Sequence, residues 1–133
     1  MDKTKLKFEE VVAEMLLKVG ITPNLSGYHY IIDCTYVIVK KHCRISGMIN
    51  DVYAVVAKDY QTTSNRVQRS ITHALDTVSY RNKVDLINNC FDIDLFSRYD
   101  RPTNNQFLMI LADRISRFFY FDDEDGTLTP IDL

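Results

Sequence analysis

The stretch from Asn50 to Tyr80, NDVYAVVAKDYQTTSNRVQRSITHALDTVSY, constrains the fold of this chain more than any other. Apolar residues recur at helical spacing on both sides of the polar run QTTS. The stretch therefore reads as a helix over about 51–60, a short turn, and a second helix over about 64–80. Two helices joined so tightly have to cross, and a crossing makes demands on side-chain size. Ala57 is the small residue at the crossing point. Val67 and Ile71, one helical turn apart, are the apolar anchors by which the second helix packs back on the first. Once those anchors face inward, Asn65, Arg66, Gln68, Arg69 and Thr72 are left on the outer side.

The remainder of the chain is also helical in pattern, with only four glycines and three prolines to punctuate it. Residues 6–18 form an amphipathic helix with Leu6, Val11, Met15 and Leu16 near one stripe, and Gly20 is positioned to cap its end. A turn, ITPNLSG, leads into a helix from about Tyr28 to His42. That helix is apolar on most sides (Tyr30, Ile31, Ile32, Cys34, Val37, Ile38, Val39) and is expected to run through the core. The β-branched run Thr35 to Val39 also permits a strand, but the segment is too long for one strand and lacks a hairpin partner. Gly47 marks the next break, with Asn50 or Asp51 available as a cap. A short helix is expected over 83–91. Thr103 and Gln106 have the spacing of a reciprocal capping box that would start a last helix running to about Phe119. The expected fold is all-α, a compact bundle of about six helices containing a central helix-turn-helix. The domain is expected over residues 1–120, followed by an acidic tail over 121–133.

The bulk numbers exclude several classes. At 133 residues, 46% of them apolar, the chain is one domain with room for one core. No apolar run approaches the roughly 20 residues that span a bilayer, and MDKTKLKFEE turns acidic where a signal peptide needs its apolar segment. A cytoplasmic location with no membrane partner is the expectation. Cys34, Cys43 and Cys90 are too few and too scattered for a disulfide framework, and His29, His42 and His73 show no metal-binding spacing, so no metal or other cofactor is expected. No nucleophile–base pair, glycine-rich phosphate loop or carboxylate cluster is evident, and catalysis is not expected.

The outward residues of the second helix have the chemistry of a DNA reader. Arginine donates a bidentate pair to guanine O6 and N7, and Asn or Gln does the same for adenine N6 and N7. Asn65, Arg66, Gln68, Arg69 and Thr72 are accordingly the candidate base-reading residues, with no catalytic residue among them. Lys58, Thr62, Thr63, Ser64, His73 and Arg81 are candidates for the phosphate backbone, the hydroxyls of the turn being placed at a helix N-terminus. The turn departs from the commonest form, which has glycine four residues after the alanine; here that residue is Gln61. The net charge of −2 stands against a DNA binder, but five of the 18 acidic residues lie beyond Phe121, and the rest of the chain is net positive by three.

Three runs, GITPNLSGYHYIIDC, AKDYQTTSNRVQRSITHA and RPTNNQFLMILADRI, resemble the C-terminal effector domain of the sporulation-initiation response regulator of Firmicutes. The likeness covers about residues 10 to 117. The strings Thr-Thr-x-x-Arg-Val-x-Arg-x-Ile-x-His-Ala and Lys/Arg-Pro-Thr-Asn-x-x-Phe occur in the family's order and spacing. The resemblance implies a six-helix domain with a central helix-turn-helix that binds short promoter boxes, often in tandem, and activates or represses transcription. Double-stranded DNA is the implied partner, together with a second copy on tandem sites and a contact to RNA polymerase or its sigma factor. Arg66, Arg69 and His73 match the family string, and Arg81 matches a basic residue just beyond it.

Two departures fall on the reading face: Gln68 stands where the family has glutamate, and Thr72 where it has arginine. Each is expected to change base preference, by about 1–3 kcal/mol where the contact is direct. The family's full-length regulators carry a receiver domain ahead of this one, whereas about nine residues precede the shared region here; the expectation is either an excised piece or a stand-alone effector domain. The end of the chain, FFYFDDEDGTLTPIDL, reads as a solubilising tail or as an aromatic segment that docks and brings its acidic run near a basic surface. The alternative function is a protein-interaction module of the same fold that has lost specific DNA binding and modulates a partner regulator.

Overall fold

The computed structural model describes residues 3–80, 84–97, 99–121 and 128–131. Its elements are α1 (Lys3–Val19), α2 (Gly27–Lys40), a π-helical turn (Ile49–Tyr53) that runs directly into α3 (Ala54–Asp59), α4 (Ser64–Tyr80), α5 (Val84–Phe91), α6 (Asn104–Ser116), and a two-stranded antiparallel sheet of β1 (Phe119–Phe121) and β2 (Leu128–Pro130). The fold is a mostly helical bundle of six helices, as the apolar periodicity requires.

Helix α2 is the central pillar. Its buried residues (Gly27, Tyr28, Ile31, Ile32, Cys34, Thr35, Ile38, Val39) form one broad inward face rather than the nearly all-round burial that the sequence suggested. Helices α1, α3, α4 and α6 all pack against it. Thr35, the polar residue in this set, donates its hydroxyl to the Ile31 carbonyl at 2.6 Å and so carries no unpaired group into the core. The Cys34 thiol is free, and burial raises its pKa well above the ordinary range, with the nearby Asp33 charge adding to the effect. It behaves as a small apolar side chain.

The inward stripe of α1 differs from the sequence expectation. Phe8, Val12, Leu16 and Val19 are buried, whereas Leu6 is 45% exposed and Val11 and Met15 lie on the flank. Apolar residues occupy two adjacent stripes of this helix. The one that wins contains Phe8, whose ring meets Tyr36 of α2 at 5.1 Å and Phe119 of β1 at 5.6 Å. A fully buried aromatic removes more apolar area from water than Leu6 could.

Four helices end alike. After α1, Gly20 takes φ +88°, its N–H bonds to the Leu17 carbonyl, and the Ile21 N–H reaches back to Leu16 at 2.8 Å. This paired closure satisfies carbonyls that a helix end otherwise leaves open. The same pattern closes α2, α3 and α5, but with His42 (φ 56°), Gln61 (φ 53°) and Asp92 (φ 55°) in the left-handed position. A glycine-poor chain thus makes three of its helix stops without glycine.

Asp51 does not cap a helix beginning at 51. The helix starts two residues earlier, with the wide π turn, and the Asp51 carboxylate folds back to accept from the Ser46 and Gly47 N–H groups at 3.0 and 3.2 Å. These two bonds hold its pKa below the usual carboxylate range. The capping box at the start of α6 is formed as expected: the Gln106 N–H donates to Thr103 Oγ1 at 3.1 Å, and the Thr103 N–H donates to Gln106 Oε1 at 2.9 Å.

The chain beyond α6 does not simply trail away. Phe119 pairs with Pro130, Tyr120 with Thr129 and Phe121 with Leu128. Phe119 and Leu128 are buried, and β2 lies against α1. The expected boundary at residue 121 is therefore bridged by a strand pair; the acidic run 122–125 lies outside the described residues.

Candidate nucleic-acid interface

The helix-turn-helix is built by three buried anchors and one tight turn. Ala57 (3% exposed), Val67 and Ile71 (both 0%) fill the crossing of α3 and α4. The Gln61 N–H donates to the Lys58 carbonyl at 3.2 Å, and the Thr62 N–H to the Ala57 carbonyl at 2.9 Å. Thr63 then caps α4, its Oγ1 accepting from the Arg66 N–H at 3.2 Å while its carbonyl accepts from Val67. Ser64 is thus the first residue of the helix and not its cap. Tyr60 pins the turn to the central pillar: its hydroxyl donates to the Asp33 carboxylate, and its ring packs edge-on against Tyr30 at 4.9 Å. Burial, followed by that hydrogen bond and the Asp33 charge, raises the Tyr60 pKa.

Gln61 occupies the position where the commonest turn has glycine, and it adopts the backbone conformation that glycine favours. Its side chain is exposed. Gln61→Gly should therefore relieve left-handed strain, partly offset by the greater freedom of glycine in the unfolded chain, and stabilise the protein by about 0.5 kcal/mol. A rise in the urea midpoint at unchanged slope is the expected reading; a fall would mean that the Gln61 side chain contributes more than its backbone strain costs.

Each expected contact residue has a definite place. Asn65, Arg66, Arg69 and His73 are exposed on α4, and Arg66, Arg69 and His73 follow one another at helical spacing along one stripe. Among the described residues, neither Arg66 nor Arg69 is held in an ion pair. Thr63 and Lys58 are exposed, and Thr62 and Ser64 half-buried, around the N-terminal end of the same helix. Gln68 and Thr72 are half-buried on the flank facing α6. Gln68 Nε2 makes a long bond, 3.4 Å, to the Ser64 carbonyl of its own helix. The Thr72 hydroxyl accepts from Asn104 Nδ2 at 2.9 Å. Arg81 lies outside the described residues.

Asn104 belongs to a set of residues for which the sequence supplied no role beyond resemblance. The run Arg101–Gln106 is a clamp on the helix-turn-helix. Arg101 Nε donates to Asp76 of α4 at 2.8 Å, and its Nη1 to the Pro102 carbonyl at 2.6 Å. Asn104 Nδ2 reaches the Gln68 carbonyl at 3.0 Å as well as Thr72. Asn105 Oδ1 accepts from the Tyr53 hydroxyl at 2.6 Å, tying the same segment to the π turn before α3. The capping box accounts for Thr103 and Gln106 only. The other polar residues of that run, all beside a cap, were the available signal for a docking surface.

Residues 12–115 match the family described as Sporulation initiation factor Spo0A C terminal. The chain belongs to that family. The match runs from the C-terminal half of α1 to the last turn of α6 and therefore includes both the helix-turn-helix and the clamp. Membership of the Spo0A C-terminal family makes this a DNA-binding, transcription-regulating domain associated with sporulation. Among the described residues no helix is long and apolar enough to cross a membrane, and no group of His, Cys, Asp or Glu could hold a metal ion.

Proposed function

We propose that this protein is a sequence-specific transcriptional regulator that lays α4 in the major groove of double-stranded DNA. The observation that carries the reading is the exposed Arg66–Arg69–His73 stripe on a helix whose opposite side is locked by Val67 and Ile71. A rigid helix presenting unpaired guanidinium groups loses little conformational freedom on binding, and two such groups can each address a guanine. Asn65, Arg66, Gln68, Arg69 and Thr72 read bases. Lys58, Thr62, Thr63, Ser64, His73 and Arg81 contact the backbone around the N-terminal end and flank of the helix. The Thr72 hydroxyl already accepts from Asn104. With the hydroxyl so engaged, its methyl group is the part left for a base, which suits a thymine methyl better than a phosphate.

Binding of two copies to tandem sites, contact with RNA polymerase or a sigma factor, and action in the cytoplasm complete the reading. The competing reading, an interaction module that no longer reads DNA, would favour an acidic or apolar cover over α4. Arg66 and Arg69 on its outer stripe speak for DNA instead.

The test is selection of bound duplexes from a random-sequence pool, followed by titration of the recovered duplex and of unselected pool DNA. Arg69→Ala should weaken the selected duplex by about 1–2 kcal/mol, roughly tenfold, and relax preference at one base pair. Recovery of no enriched sequence, or an unchanged Arg69→Ala, would sink the groove assignment.

A further inference from the structure

Asp76 lies on the outer stripe of α4, seven residues and about 10 Å beyond Arg69, nearly in line with it on the helix surface. It is exposed, its side chain 58% accessible, and it would close a stripe meant for a polyanion with a bare negative charge. Arg101 answers that charge. Its guanidinium is held on two sides, by Asp76 at 2.8 Å and by the Pro102 carbonyl at 2.6 Å, and its own side chain is only 25% exposed. An exposed pair of this kind stabilises a fold very little. Its consequence for the field around α4 is larger, because a phosphate approaching the stripe meets a neutral pair in place of a carboxylate.

We infer that Arg101 is a positioning residue for DNA binding, masking Asp76 so that the stripe Arg66–Arg69–His73 stays electrostatically open to phosphate. The inference rests on the DNA-binding reading above. It differs from ordinary phosphate contact: Arg101 acts through Asp76, with its donors directed at protein atoms.

The experiment is a double-mutant cycle on the whole chain, read by titration of the selected duplex and of unselected pool duplex at several salt concentrations. Arg69→Ala serves as the control for the binding face. Arg101→Ala should weaken both duplexes about threefold to tenfold at low salt, and the loss should shrink as salt screens Asp76. Adding Asp76→Asn to Arg101→Ala should restore affinity to near the starting value, since the exposed charge is then gone. Asp76→Asn alone should bind at least as tightly as the unaltered protein. Thermal unfolding of all variants checks that each is folded.

Arg101→Ala with unchanged affinity while Arg69→Ala weakens binding overturns the inference and leaves the DNA reading standing. A loss that Asp76→Asn does not restore also overturns it, because the clamp then acts only by holding helices together. An unchanged Arg69→Ala overturns the reading itself, and the inference with it.

Discussion

Gly27→Ala should destabilise the protein by about 3 kcal/mol. Gly27 is the first residue of α2, where α2 passes across the middle of α4. A Cβ at this position would lie 2.4 Å from the Ser70 carbonyl oxygen, 2.9 Å from its carbon and 3.1 Å from the Ile71 Cα. All three are backbone atoms inside a helix, so no side chain can swing away. Two opposing effects have to be weighed. Alanine is the better helix former by up to about 1 kcal/mol, but at the first helical position only part of that gain applies. Relief of the clash requires α2 and α4 to separate, which loosens the fully buried Ile71 and its neighbours in the core. The clash wins. A urea midpoint lowered at unchanged slope, and a melting temperature down by about 10 °C, are the expected readings. DNA affinity should fall as well, because the displaced element is the proposed recognition helix. A variant within about 0.5 kcal/mol of the starting stability would mean that the helices do not approach so closely.

Asn88→Ala should cost about as much, roughly 3 kcal/mol, for a polar reason. Asn88 is 6% exposed on α5 and holds the segment that follows. Its Nδ2 donates to the Phe96 carbonyl at 2.8 Å, and its Oδ1 accepts from the Phe96 and Leu95 N–H groups at 3.2 and 3.4 Å. Alanine would leave the buried Phe96 backbone unpaired, at about 1–3 kcal/mol for each orphaned group. It would also release the Phe96 ring from the core. Asn88→Asp is the sharper variant. It keeps the acceptor, loses the donor and turns a carboxylate toward the Phe96 carbonyl, so it should be at least as damaging as alanine. Equilibrium unfolding ranks the two; an aspartate variant as stable as the original would refute the assignment. Since α5 packs on α1 and α6, the folded fraction of either variant should bind DNA normally, in contrast to Gly27→Ala.

The sequence was legible where local physics decides. Helix-period patterning found six helices, Ala57, Val67 and Ile71 marked the crossing, Gly20 marked a stop, and Thr103 with Gln106 marked a start. It was less legible where the deciding partner is remote. Choosing Phe8 over Leu6 on α1 depends on Tyr36 and Phe119. The role of Asn104 depends on Gln68 and Thr72, more than thirty residues away. The stops at His42, Gln61 and Asp92 carry no glycine, so composition offers no sign of their left-handed backbones. The strand pair 119–130 joins two segments that each look too short to count as strands.

The seating of β2 against α1 has a practical side. Helix α1 packs on α2, α5 and β2, while α4 packs on α2, α3 and α6, so the described ends of the chain belong to a different packing neighbourhood from the proposed recognition helix. A fluorophore, a surface tether or a fused protein joined near residue 3 or 131 would therefore attach to elements other than α4 and its main packing partners. Such attachments can report on α4 or immobilise the protein without crowding the duplex it meets.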